Sequence, residues 1–418
     1  MTAVAREPVA ASLGRSWRDP AAWATTADVF VVLIALSLPW STSLVAIFAV
    51  AFLVARAPFL DVHAFLQSLR RPICALPMAL FALAVIGTLW SDAPWGARLY
   101  AIGPTAKLLV LPLLFYHFER SERGLWVFVA FLVSCTLMMA MSWIVTFDPG
   151  ISLKPQSEPH RGIFVKNYID QSQEFALCIV TLVYPIITFL RTKRIWLAAL
   201  LIAIVLSLVI NMAFVIVSRT ALVTVPVMLA VFALLHLRWR SIVIILCVTA
   251  VFAGLAWQMS PQLRLTAETF FRDYDLYKQQ NYPTLIGLRL EYWKKSLQFF
   301  AEAPVFGHGT GSTRGLFVQA AAGQTGARGD IVGNPHNQTL NVAIQWGVIG
   351  VAVLYAIWLF HFQLFRGDGL VPWIGLMVVL QNIFSSLFNS HLFDFHEGWM
   401  YVLGVGIAGG MTISNRRD

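Results

Sequence analysis

What most constrains this chain is a succession of long apolar blocks almost free of charge. They fall near 27–39, 43–55, 74–90, 99–118, 124–147, 175–190, 195–217, 221–236, 241–259, 341–362, 370–388 and 399–413. A helix needs about 20 mostly apolar residues to cross a bilayer, and lipid admits neither open sheet edges nor irregular loops. Strands of a membrane barrel would alternate in hydropathy instead of running on as continuous blocks. The composition agrees: 58% of residues are apolar and 12% charged, against about 45–50% and 25% in soluble domains. A cytosolic enzyme and a disordered chain are both excluded. The sequence predicts an all-α polytopic membrane protein with about 12 transmembrane helices.

Basic residues set the expected orientation. Lys and Arg outnumber Asp and Glu by 30 to 21, and in a membrane protein such a surplus collects at the cytoplasmic face. With an inside N-terminus and twelve spans, Arg56, Arg70 and Arg71, then Arg120 and Arg123, then Arg191, Lys193 and Arg194, then Arg238 and Arg240, then Arg366 all fall in inner connections. The organisation that follows is a cytoplasmic tail over 1–26, spans 1–9 over 27–259, a large outer loop over 260–340, spans 10–12 over 341–413 and a tail over 414–418. The first two blocks, separated only by Pro39 to Thr42, read as a tight hairpin or one broken span. Residues 1–26 carry Arg6, Arg15 and Arg18 without a short apolar core and cleavage site, so no removable signal peptide is expected. Cys74, Cys135, Cys178 and Cys247 lie in apolar runs and read as small buried hydrophobes.

Three segments on the far side are more than connectors: 148–174, the loop 260–340, and the turn 389–399. Loops longer than about 12–15 residues are usually functional or disordered. The long one is rich in aromatics, and Ile286, Leu290, Trp293, Leu297 and Phe300 share one helical face. It is expected to hold an amphipathic helix at the outer membrane surface, ended by Pro304, Gly307, Gly309 and Gly311.

Four sets of polar residues are candidates for chemistry. Arg219, where the seventh block meets the eighth, is either an interfacial arginine or a fixed cation for a lipid phosphate. Arg289 lies on the loop helix with Lys294 and Lys295, whose ordinary reading is a solvated face. His336, in Asn-Pro-His-Asn just before span 10, is either a loop residue or a general base, since imidazole titrates nearest neutral pH. Lys166, Asn167, Gln171 and Gln173 gather at the start of span 6, and amides both donate to and accept from sugar hydroxyls. His391, Asp394 and His396 form a weak metal pattern in a short turn. Gly307-His-Gly-Thr-Gly311 lacks the Lys-Ser/Thr of a nucleotide loop. Lys107 is the one charge placed deep in a span.

Arg219 in Ser-Arg-Thr-Ala, Gly287-Leu-Arg-Leu-Glu-Tyr-Trp running on to Pro304-Val-Phe-Gly-His-Gly309, and Pro335-His-Asn-Gln-Thr-Leu340 leading to Gly347-Val-Ile-Gly350 together resemble the O-antigen ligase family. Its superfamily also holds O-antigen polymerases and protein O-oligosaccharyltransferases. The resemblance implies a GT-C-type membrane glycosyltransferase. It would move a preassembled polysaccharide from undecaprenyl diphosphate to lipid A–core, on the periplasmic side of a Gram-negative inner membrane. Neither nucleotide sugar nor metal nor other cofactor would be needed. The resemblance also implies that Arg219 and Arg289 bind diphosphate and that His336 is catalytic, with Asn337 and the Lys166–Gln173 stretch as possible substrate contacts. The alternatives are a polymerase, a protein-glycosylating enzyme or, from another class, a lipid-linked glycan transporter.

Overall fold

The computed structural model describes residues 19–416 apart from 152, 154–161, 217, 237 and 238. The side chains of 219–223 and of several positions between 232 and 266 also lie outside the described residues. No strand occurs among the described residues, and every apolar block lies in a helix.

The first block sits in α1 (Pro20–Ser37), which starts earlier than the apolar run. Asp19 caps it by accepting from the Ala21 N–H, and Pro20 occupies the first turn, where no amide hydrogen is needed. After Leu38–Ser41 the chain turns into α2 (Thr42–Arg56), capped by Ser41. The two helices pack along one another, so this stretch is a hairpin. The short α3 (Val62–Leu69) and α4 (Pro72–Ile86) meet at 82°. Next come α5 (Trp95–Ala106) and α6 (Val110–Phe118), joined by a single tight turn, and α7 (Gly124–Phe147). Then α8 (Tyr168–Thr181) continues into α9 (Val183–Arg191), followed by α10 (Ile195–Asn211), α11 (Arg219–His236) and α12 (Trp239–Met259). The large loop contains α13 (Pro261–Gln280), α14 (Leu285–Glu302) and α15 (Thr313–Ala321). Three helices close the chain: α16 (Gln338–Leu364), α17 (Leu370–Ser385) and α18 (Phe395–Ser414).

Seven helices among the described residues are long and apolar enough to cross a membrane, or eight if the bent α3–α4 pair is one span. The protein is therefore a polytopic helical membrane protein. Helices α4 and α17, at 15 and 16 residues, are individually shorter than the ~20 residues a full crossing takes. Helix α17 packs inside the bundle and buries nearly its whole surface, whereas α4 buries a single stripe of Cys74, Pro77, Leu80 and Ala84. The thiols are free; Cys74, Cys135 and Cys178 are buried as expected, whereas Cys247 is exposed on α12.

The loop is folded, and its main helix is oriented by more than its apolar stripe. Tyr292 and Phe299 of α14 build a small core with Phe317 of α15 and Ile344 of α16, and Trp293 packs at its edge. Leu297, counted in the expected stripe, is exposed, while Glu291 and Lys295 are buried. The buried charges have partners: the Tyr277 hydroxyl donates to Glu291 at 2.8 Å, and the Lys295 ammonium donates to the Arg328 carbonyl. Burial of polar groups costs little once they are hydrogen-bonded. Lys294 is solvated as expected and Lys295 is not.

The glycine-rich stretch after α14 plugs into a break in α16. Gly347 has φ +60° and ψ −155°, so the helix ladder is interrupted there. The Val348 N–H donates to the Pro304 carbonyl at 2.8 Å. The carbonyls of Ile344 and Gln345 accept instead from the N–H groups of His308 and Gly309, each at 2.9 Å. Three backbone groups at the break thus find partners in the incoming loop, as irregular backbone in a membrane protein requires.

Candidate active site

His336 is built into the connection between the loop and α16. Its φ of +54° is a left-handed conformation for a non-glycine residue. The turn is held by Asn334, whose side-chain oxygen accepts from the His336 N–H at 3.0 Å and from the Ser390 hydroxyl at 2.7 Å. The His336 Nδ1 lies 2.9 Å from the Asn389 side-chain oxygen. The Asn389 amide donates in turn to Asp394 at 2.7 Å. On the other side the Tyr292 ring lies over the imidazole with centroids 6.1 Å apart and planes tilted by 30°. Arg289 sits one helical turn before Tyr292, which puts both on one face of α14. Its guanidinium is close enough to depress the basicity of His336 and of His391. Burial is the larger cause in each case; His336 is pushed below the usual histidine value despite its Asn389 contact, and His391 down to about 3.

The turn 389–394 forms one wall of a cleft of about 270 Å³. Asn389, Asp394, Phe395, His396 and Glu397 face Asn167, Ile169 and Asp170 at the start of α8. His396 Nδ1 and Asp170 are 2.7 Å apart and pair across it. Lys107, from the turn between α5 and α6, donates to the carbonyls of Phe393 (3.0 Å) and Asp394, so its charge serves this turn. Asp394 is pushed up to about 7 by burial, with Lys107 acting in the opposite sense. Donor atoms of His391, Asp394 and Glu397 lie within 4.8 Å of one another and could hold a cation. His391 and Glu397 are buried without a protein hydrogen-bond partner among the described residues. The trio differs from the expected pattern, with Glu397 in place of His396, and Lys107 already brings a positive charge to it.

The other sequence candidates have varied surroundings. Lys166 is buried, paired with Glu174 at 2.7 Å and donating to the Leu38 carbonyl, which ties α8 to α1. Asn167 caps α8, accepting from the N–H groups of Ile169 and Asp170. Gln171 is buried, and among the described residues neither of its amide atoms has a hydrogen-bond partner. Gln173 receives two hydrogen bonds from Gln381, at 2.6 and 3.0 Å, joining α8 to α17. Asn337 caps α16 and donates to the Leu387 carbonyl. Arg219 opens α11, and its side chain lies outside the described residues, as does Arg161.

Residues 204–355 match the family model described as O-antigen ligase. The chain carries an O-antigen ligase family domain. Arg219, Arg289, His336 and the Gly347 break all fall inside that matched stretch. No curated protein matches the chain. The ligase-family segment supplies His336 and Arg289, while Asn389, which faces His336, and Asp394, which holds Asn389, come from beyond it. Sequence reasoning missed Asn334, Asn389 and Ser390. Their signal was the density of Asn, Ser, His and Asp in two short connections at the same end of the bundle.

Proposed function

We propose that the protein is a membrane glycosyltransferase of GT-C type, with twelve spans, that transfers a polysaccharide from undecaprenyl diphosphate to lipid A–core. The cleft faces the periplasm of a Gram-negative inner membrane in this reading. The observation that carries it is His336, within reach of the Arg289 charge and hydrogen-bond distance of Asn389, which with Asp394 lines a polar cleft, all of it joined to an O-antigen ligase family segment.

The chemistry follows from these groups. The acceptor hydroxyl is a weak nucleophile until a base takes its proton, and a depressed basicity keeps the His336 imidazole neutral at pH 7. The departing diphosphate carries away negative charge; Arg289, with Arg219, is the natural group to compensate it, because a guanidinium donates two parallel bonds to phosphate. Charge compensation of this kind needs neither nucleotide nor metal. A second, apolar cavity of about 280 Å³, lined by residues such as Phe131, Leu177, Ile374 and Leu403, lies within the bundle. A small void lined by Gln381, Ser385 and Glu397 lies between it and the cleft. A substrate with a polar head and a long apolar tail suits that arrangement.

The test is transfer by purified protein from undecaprenyl-diphosphate glycan to lipid A–core, with chelator and without nucleotide. Arg289→Ala is expected to lose about 100–1000-fold and His336→Ala about 100–10,000-fold. Chain extension of the donor alone would make the protein a polymerase. Transport of the glycan across a vesicle bilayer without either product would overturn the enzyme reading.

A further inference from the structure

The hydrogen bonds around His336 fix which ring nitrogen carries the proton. The starting point is unambiguous, because a backbone N–H only donates. The His336 N–H donates to Asn334, and so does the Ser390 hydroxyl, so the receiving atom is the amide oxygen. The opposite end of Asn334 is then its NH₂, which points at Asn389 from 3.4 Å. The Asn389 atom facing it must accept and is oxygen. The same oxygen lies 2.9 Å from His336 Nδ1. A carbonyl oxygen cannot donate, so Nδ1 carries the hydrogen. The far end of Asn389 agrees, since its NH₂ meets the Asp394 carboxylate at 2.7 Å.

We propose that Asn334, Asn389 and Asp394 are positioning residues that hold the His336 imidazole as its Nδ1–H tautomer and leave Nε2 bare to take the acceptor hydroxyl's proton. This rests on the reading of His336 as the base. Lys107 fixes the far end of the chain by binding the backbone of Phe393 and Asp394. The roles are separable: Asn334 sets the backbone turn and the amide orientation, Asn389 sets the tautomer, and Asp394 sets Asn389. Without the relay the imidazole would spend part of its time with Nε2–H, which cannot accept a proton. The charged and titratable groups facing His336 are Arg289 and Tyr292 from α14 and His391 from the turn. Asp394 faces Asn389, with Asp170 and Lys107 behind it.

The experiment reads the tautomer directly. Protein labelled with ¹⁵N-histidine is reconstituted in bilayers, and the His336 signals are assigned by their loss in His336→Gln. A protonated Nδ1 and an unprotonated Nε2 are expected at pH 7.5. In Asn389→Leu the two forms mix and transfer falls several-fold, in step with the fraction of imidazole converted to Nε2–H. In the isosteric Asn389→Asp the Nδ1–H signal persists, and the acid limb of the kcat/KM profile moves up by about 1–3 pH units, because a carboxylate now stabilises the imidazolium. An Nε2–H signal in the unmodified protein overturns the relay. So does an Asn389→Leu protein with unchanged tautomer and pH profile. Normal transfer by His336→Gln would sink the base role while the Nδ1–H signal remained, so the two failures are told apart.

Discussion

A base beside a cation is held to two opposed requirements. Arg289 favours the departing diphosphate, yet the same charge, added to burial, makes His336 harder to protonate. For a general base this is useful, because only the neutral imidazole accepts a proton. Transfer should therefore hold steady as pH falls from 8, and decline only below the ordinary histidine value of 6.5. Arg289→Gln removes the depressing cation, so its decline should begin at higher pH in addition to the lower rate; a limb that stays put would show that Arg289 does not act on His336. Lys166 shows how a residue can look the same in sequence and serve differently. It and Glu174 are both buried and 2.7 Å apart. Removing one partner of a buried pair leaves the other charge stranded, at a cost of about 3–5 kcal/mol. Lys166→Ala should thus lower the thermal midpoint, and Lys166→Ala/Glu174→Ala should recover part of the loss. A single variant that melts normally but binds donor weakly would restore Lys166 as a substrate contact. Polar residues clustered at a helix start were visible in the sequence. Which ones cap, pair or face a cleft depends on neighbours from α1 and α17 that no local pattern encodes.

Among the elements, helix positions were legible because twelve apolar blocks each need a helix to satisfy their backbone in lipid. Two features were not. The buried face of α14 includes Glu291 and Lys295, because Tyr277 and the Arg328 carbonyl, distant in sequence, complete their hydrogen bonds. The break in α16 was visible only as Gly347-Val-Ile-Gly350, and its cause is the incoming loop. A Cβ on Gly347 would stand 2.3 Å from the Val305 carbonyl oxygen, and at a positive φ. One on Gly309 would meet the Ser91 backbone at 2.6 Å, also at positive φ. Gly347→Ala should expel the 304–311 loop from α16, exposing it to protease and lowering the thermal midpoint. Gly315→Ala in α15 meets nothing within 4 Å and should be neutral or stabilising by up to about 1 kcal/mol. Equal melting of the two variants would mean that the loop is not held by this junction. Transfer should fall with Gly347→Ala as well, because α14, and with it Arg289, is anchored through the same loop.

At the scale of the whole molecule, one end of the bundle gathers His336, the 389–394 turn and the start of α8, while clusters such as Arg191 to Arg194 lie at connections of the opposite parity. In the proposed twelve-span arrangement the positive-inside rule would keep those clusters in the cytoplasm, and the cleft would then open on the other side. That is where a donor already moved across the membrane would present its diphosphate. Orientation can be tested without any substrate. In a background lacking the four native thiols, single cysteines are placed at Gln324, in the large loop, and at Arg194, between α9 and α10; both positions are exposed. A bulky membrane-impermeant maleimide, given after only the outer membrane is permeabilised, should label Gln324→Cys and spare Arg194→Cys until the inner membrane is opened. The reverse pattern would put the cleft in the cytoplasm and end the proposed transfer to lipid A–core at the outer leaflet. Labelling of both positions from outside would break the parity on which the twelve-span reading stands, because the three spans it puts between them, an odd number, must leave the two loops on opposite sides.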